Sequence, residues 1–206
     1  MPTAAPPAGG NAARLQNIST RLRAATGDNV VIAGFIISGT SPKKVMVRGR
    51  GPSVGLGGAL ADPTLRLFIG DTSISNDDWR SSQEREITAA GLAPTSPLES
   101  AIVATLNPGA YTAIMEGKGN TSGVGLVEVY DLEPAGSASL ANISTRGVVQ
   151  TGDNVMIAGF ILGGGTGSGR VVVRARGESL AAAGDRKSSQ RSHAPARQQQ
   201  RNRGPV

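Results

Sequence analysis

An acidic segment just before the only tryptophan holds the side chains best suited to binding a metal ion. Asp71, Asn76, Asp77 and Asp78 all end in oxygen-bearing groups. Calcium takes about six to eight oxygen ligands in a flexible geometry, which a turn of such residues can supply. Their spacing is not that of an EF-hand, and the same residues also suit a turn whose carboxylates cap nearby amides. The segment is therefore either a calcium site or an Asx-rich turn.

Trp79 follows this acidic segment directly. Its flat ring is the kind of surface on which a sugar can stack. A single tryptophan beside a turn also suits packing in the core or at its rim. We therefore expect Trp79 either to bind a glycan or to support the fold.

The residue types needed for most catalytic sites are missing from the body of the chain. The only histidine is His193, near the end of the chain, and there is no cysteine. A serine–histidine triad, a zinc site and a cysteine nucleophile are therefore excluded within the repeated part. The carboxylates show no paired arrangement typical of a glycosidase. We predict that the protein is not an enzyme and that it needs no cofactor, calcium aside.

A glycine-rich segment, 49–58, follows an apolar run and resembles a phosphate-binding loop only superficially. It lacks the Lys-Ser/Thr pair of a P-loop, and Pro52 removes an amide that would bind the anion. We interpret it as a bend at a sheet corner. Arg48, just before it, alternates with small residues and is expected on the solvent face of a strand.

The net charge of +6 comes entirely from the end of the chain. The basic residues after Asp185 are Arg186, Lys187, Arg191, Arg197, Arg201 and Arg203. The run 185–206 has no hydrophobic pattern and reads as a disordered basic tail. It either binds nucleic acid in a salt-dependent way or is not a selected sequence. Nucleic-acid binding is thus expected only through 186–206.

The chain begins to repeat itself after the length of a domain. The segment 17–21 returns as 142–146, and 26–36 returns in most positions as 151–161, at an offset of 125 residues (142 minus 17). This period suits a whole domain rather than a solenoid repeat. The sequence predicts four parts: a flexible leader (1–13), a complete module (14–136), a truncated second repeat (137–184) and the basic tail (185–206).

Short apolar runs separated by turn residues predict an all-β fold. In 65–69, Leu65 and Leu67 share one face, and in 126–130 we expect Glu128 to point outward. Helix-forming residues between Ser82 and Ala90 predict one short helix. About eight strands with one crossover predict a two-sheet antiparallel β-sandwich of jelly-roll or Greek-key order.

The strands of the truncated repeat cannot close a sandwich by themselves, so their backbone groups need partners. They can pair with an edge of the first module or with another chain by strand addition. We predict self-association through residues 153–175. No apolar run reaches transmembrane length.

Several segments together resemble the tandem β-sandwich repeats of large exported bacterial proteins. These segments are 17–21, 26–35, 47–48, 60–65, 75–79, 99–112 and 123–132. The resemblance implies an extracellular or cell-surface accessory module with no catalytic residues, although 1–10 lacks the pattern of a secretory signal peptide and the interrupted repeat indicates a fragment. The acidic turn is also similar to that of calcium-binding prepeptidase-type sandwich domains.

The expected function is that of a non-catalytic structural, spacer or interaction module. One alternative is a calcium- or glycan-binding module that uses the turn 71–79. A second alternative is nucleic-acid binding through the basic tail.

Overall fold

The computed structural model describes residues 12–177. These residues form an all-β fold with one short α-helix, as the sequence predicts. The elements are β1 (Arg14–Ala24), β2 (Val31–Ser38), β3 (Lys43–Arg50), β4 (Pro63–Ile69), β5 (Thr72–Asn76), α1 (Glu84–Ala89), β6 (Ser100–Leu106), β7 (Gly109–Gly117), β8 (Gly123–Asp131), β9 (Ser139–Arg146) and β10 (Ile157–Gly163). The helix lies within the predicted segment Ser82 to Ala90.

The strands pair antiparallel along one hydrogen-bonded path in the order β5-β4-β7-β2-β9-β1-β8-β3-β6, and β10 pairs with β1. This path is nearly closed and barrel-like. The path does not divide clearly into the two separate sheets that the sequence predicts. The link between β9 and β1 consists of one residue pair, Leu15 and Leu140.

The main core lies on the inner face of this path and is almost entirely aliphatic. Alternate residues of most strands point into it, as the pleat of a strand requires, whereas β5 and β10 contribute no side chain to this core. Its largest members include Leu22, Phe35, Ile37, Leu60, Leu65, Leu67, Ile102, Leu106 and Met115. Burying each such side chain stabilises the fold by about 1.5–3 kcal/mol. The scarcity of aromatic residues leaves one stacked pair at its margin, Phe35 and Tyr111, with ring centroids 5.5 Å apart.

The segment between β5 and β6, which contains α1, covers the outer face of β3, β6 and β8. A second cluster of buried side chains forms there: Met46, Trp79, Ile87, Ala101 and Val103. This cover makes two predictions wrong. Arg48 and Glu128, which we expected on solvent faces, are only 7% and 5% exposed, because a covered sheet has no solvent face at these positions.

The second copy of the repeat supplies two strands, β9 and β10, which match β1 and β2 in sequence. Both pair with the first copy: β9 with β2, and β10 with β1. Residues 12–170 belong to one compact unit. Residues 171–177, which include the match to β3, have no regular secondary structure. The basic tail and the leader, apart from its last two residues, lie outside the described residues.

Candidate cation site

The hairpin of β4 and β5 determines which aspartates meet. Leu65 pairs with Asn76, so the start of β4 lies beside the end of β5. Asp62 precedes β4 and Asp77 follows β5, and the pairing therefore brings them together. Asp71 lies at the opposite end of the hairpin, in the turn that joins β4 to β5, and is exposed. The five residues of β5 span about 17 Å at roughly 3.3 Å per residue, so Asp71 is not part of the group.

Asp62, Asp77 and Asp78 form what we call the aspartate cluster. One carboxylate oxygen from each lies within 4.8 Å of the others, and all three residues are partly buried. The Oδ1 atom of each aspartate is buried and has no hydrogen-bond partner within residues 12–177. Three carboxylates this close repel one another, and a bound cation relieves the repulsion. Oxygen atoms of this kind are the ligands that calcium prefers.

Lys118, in the turn between β7 and β8, already supplies one positive charge to the cluster. Its Nζ lies 2.6 Å from Oδ2 of Asp77 and 3.6 Å from Oδ2 of Asp62. The hydrogen bond to Asp77 raises the pKa of Lys118, burial opposes this, and the charges of Asp62, Asp77 and Asp78 raise the pKa further. One ammonium group facing three carboxylates leaves an excess of negative charge.

Asn76 holds the cluster in place but does not offer its side chain to a metal ion. Its Nδ2 donates to the carbonyl oxygen of Asp78 at 3.1 Å and to Oγ of Ser82 at 3.1 Å. Its Oδ1 accepts a hydrogen bond from the backbone N–H of Ala101 at 2.9 Å. With 5% exposure, Asn76 fixes the backbone that positions Asp77 and Asp78. In this respect the segment behaves as the Asx-rich turn of the alternative interpretation.

Of the four metal ligands that the sequence suggested, the structure therefore brings Asp77 and Asp78 together. It places Asn76 behind them and Asp71 elsewhere. Asp62 was missed because no acidic pattern surrounds it in the sequence. The signal that could have found it is the pairing of the apolar run 65–69 with 72–76, which returns the chain to Asp62.

Trp79 lies in the second cluster and is 4% exposed. Its indole N–H donates to the carbonyl oxygen of Ser96 at 3.1 Å. The guanidinium group of Arg80 lies 4.5 Å from the ring centroid. This placement favours the packing interpretation of Trp79 over a sugar-stacking one.

The backbone amides of the glycine-rich bend bind the carboxylate of Glu99 rather than a separate anion. Glu99 is fully buried, and its Oε1 accepts hydrogen bonds from the backbone N–H groups of Gly51 (2.9 Å) and Ser53 (3.0 Å). Oγ of Ser53 donates to the same atom at 2.5 Å. The amides that would bind a phosphate are therefore already used. A side chain at Gly51 would collide with the carbonyl oxygen of Leu60.

A buried polar network on the outer face of β3 and β8 was not predicted. Arg48 Nε donates to Oε2 of Glu128 at 2.9 Å, and Arg48 Nη2 donates to the hydroxyl of Tyr130 at 2.8 Å. Tyr130 donates in turn to Oε1 of Glu128 at 2.9 Å. Burial, and next the charge of Glu128, raise the pKa of Tyr130, and the charge of Arg48 opposes this. The three groups satisfy one another, which is the arrangement of a structural network.

Within the part of the chain that the structure describes, no helix is both long enough and apolar enough to cross a membrane. A scan against protein-family models finds no match for this chain, and a search of the curated proteins finds none either.

Proposed function

We propose that this chain is a non-catalytic structural module that acts as a spacer or interaction unit in an extracellular or cell-surface bacterial protein. The resemblance to tandem repeats of exported proteins supports the location. The observation that carries the role is the pairing of β9 with β2 and of β10 with β1. Strands of one repeat extend the sheet of the other, as expected of a unit that joins repeats.

The buried charged side chains also support a structural role, because they bind other groups of the protein. Nζ of Lys43, which is 1% exposed, donates to both carboxylate oxygens of Asp131 at 2.8 Å and to the carbonyl oxygen of Glu133 at 2.7 Å. Its three protons are therefore all used. Arg48 and Glu128 likewise bind within the protein. Groups that are fully engaged in this way are suited to holding a fold rather than to reacting with a substrate.

We also propose that the strands act as the two layers of a β-sandwich. Five strands, β5-β4-β7-β2-β9, lie on one side of the single pair Leu15–Leu140, and β10-β1-β8-β3-β6 lie on the other. Amide hydrogen exchange tests this architecture. The amides of β9 that point away from β2 should exchange faster than those inside the long ladders, because only Leu140 of β9 pairs with β1. Equal protection would favour a continuous barrel.

A substitution in β9 tests the structural role in the intact chain. Leu140 is 2% exposed and packs in the main core, so Leu140→Ala should cost about 2–5 kcal/mol. If the second copy folds together with the first, the unfolding transition measured by Trp79 fluorescence shifts to a lower denaturant concentration. Ala141→Ser, at the neighbouring exposed position, is the control and should leave the midpoint of the transition unchanged. An unchanged transition in Leu140→Ala would contradict the proposal.

The aspartate cluster favours a second function, which is binding of calcium. The observation that carries it is the three buried Oδ1 atoms without hydrogen-bond partners among the described residues. Calcium should raise the melting temperature of the full chain relative to a chelator, because a ligand of the folded state stabilises it. Asp62→Asn and Asp78→Asn should each reduce this shift, whereas Asp71→Asn should keep it. A shift that survives both cluster substitutions would place the ion elsewhere.

A further inference from the structure

The two copies of the repeat exchange strands reciprocally and in the same register. In the first ladder, Ile18 of β1 pairs with Phe160 of β10. In the second ladder, the equivalent residue of β9, Ile143, pairs with Phe35, the equivalent of Phe160. The other matching pairs are Ser19–Gly159 with Ser144–Gly34, Thr20–Ala158 with Thr145–Ala33, and Arg21–Ile157 with Arg146–Ile32.

Even the irregularity of these ladders recurs. The pairing of β1 with β10 shifts between Leu15 and Asn17, and that of β9 with β2 shifts between Leu140 and Asn142. The exchanged strands are therefore related by a local pseudo-twofold symmetry. This symmetry gives β10 the place in the second copy that β2 occupies in the first.

The surroundings of β2 and β10 differ on one side only. β2 has β9 along one edge and β7 along the other, with seven residue pairs from Val31–Met115 to Ile37–Gly109. β10 has β1 along one edge, and no strand among residues 12–177 pairs with its other edge. Phe35 is 1% exposed and stacks on Tyr111 of β7. Its equivalent, Phe160, is 47% exposed.

The free edge of β10 lacks the features that protect an edge strand from pairing. Its sequence, Ile-Ala-Gly-Phe-Ile-Leu-Gly, contains neither a charged residue nor a proline. Two more of its side chains are exposed, Ile157 at 47% and Ile161 at 52%. The edge therefore offers apolar side chains and backbone groups that pair with no other strand among residues 12–177.

We infer that this edge is a docking site for a strand of the β7 type, supplied by a further copy of the repeat. The inference deepens the proposed role as an interaction module. The partner strand follows the pattern of Gly109–Gly117 and runs antiparallel to β10, so that its tyrosine stacks on Phe160 as Tyr111 stacks on Phe35. Recognition consists of main-chain hydrogen bonds along the edge, with the aromatic pair setting the register.

The test uses the full chain and a fluorescent synthetic peptide with the sequence of residues 107–118. Titration of the peptide with the chain should give a saturable rise in fluorescence anisotropy. Phe160→Ala in the chain and Tyr111→Ala in the peptide should each weaken binding. A double-mutant cycle should give a coupling of about fivefold between these two positions. Ile161→Ala is the matched control, because Ile161 lies on the opposite face and should show no coupling to the tyrosine.

Three results would overturn the inference. The first is a lack of saturable binding. The second is binding that Phe160→Ala leaves unchanged, which would place the peptide on another edge. The third is a dimer of the chain that forms through β10 and that sedimentation shows to persist when the peptide is added. None of these results depends on Leu140, so failure of the inference and failure of the proposed structural role are distinguishable.

Discussion

The hydroxyl oxygens of Thr20 and Thr145 lie 2.8 Å apart, and the two residues hold the same position in successive copies of the repeat. Two other equivalent pairs are joined through their backbones: Leu15 with Leu140 and Arg23 with Val148. These pairs therefore mark where the two repeats join.

The threonine pair should show strong coupling. Thr145→Val leaves Thr20, which is 1% exposed, without its side-chain partner, and we expect a loss of about 1 kcal/mol in the free energy of unfolding. Thr20→Val should cost a similar amount. The double variant should lose less than the sum, because two apolar groups of the same shape replace the pair. Urea unfolding followed by Trp79 fluorescence measures all three, and additive losses would contradict a direct interaction.

Lys118 should compete with calcium for the aspartate cluster. Without calcium, Lys118→Met removes the ammonium group that faces Asp62 and Asp77, so the chain should melt at a lower temperature in chelator. With calcium, the variant should gain more stability than the native chain and should need several-fold less calcium for half of the effect. Calorimetric scans over a calcium series measure both. If the variant's melting temperature does not respond to calcium, the cluster does not bind calcium, and Lys118 is its counter-ion in the native chain.

Glu99 should be essential to the glycine-rich bend. Glu99→Ala leaves the buried amides of Gly51 and Ser53 without an acceptor, and we expect a cost of about 2–4 kcal/mol. Glu99→Gln keeps an acceptor oxygen, so it should cost less. Chemical denaturation compares the two variants with the native chain. Equal losses would mean that the charge of Glu99, through Arg50 at 3.8 Å, matters more than the hydrogen bonds.

Tyr130 should ionise above the ordinary pKa of tyrosine. Burial is the main cause of its raised pKa, and the charge of Glu128 is the second. Because the folded pKa exceeds the unfolded value of about 10, the stability linked to Tyr130 is complete below pH 10. It is lost as the pH rises through the folded pKa. Titration of absorbance at 295 nm measures this ionisation, and Tyr130→Phe should remove a step above pH 10. A step removed below pH 10 would contradict the assigned cause.

The strands could be predicted well because each one shows an alternating or continuous run of apolar residues within its own segment. Leu65 and Leu67 point into the core as their spacing indicates. Arg48 and Glu128 were predicted wrongly because the pattern of a strand shows which residues share a face, but not what lies above that face. The cover comes from a segment more than 20 residues away along the chain from each strand.

The aspartate cluster could be predicted only in part for a related reason. Asp77 and Asp78 are adjacent in the sequence, whereas Asp62 reaches them through the hairpin of β4 and β5. The repeat itself was visible at an offset of 125 residues, but the exchange of strands was not. Which edge a strand selects depends on partners distant in the chain, and no pattern within 139–163 records that choice.

The exchange of strands also sets an order of events during synthesis. Ser38 at the end of β2 leaves the ribosome 101 residues before Ser139, its partner in β9. At about 5–20 residues per second, β2 waits roughly 5–20 seconds for β9, and both of its edges are open until β7 has been made. On a polysome, the nearest matching strand in that interval belongs to a neighbouring nascent chain. The pairing of β2 with β9 can therefore be completed within one chain only after Arg146, the partner of Ile32, has been made.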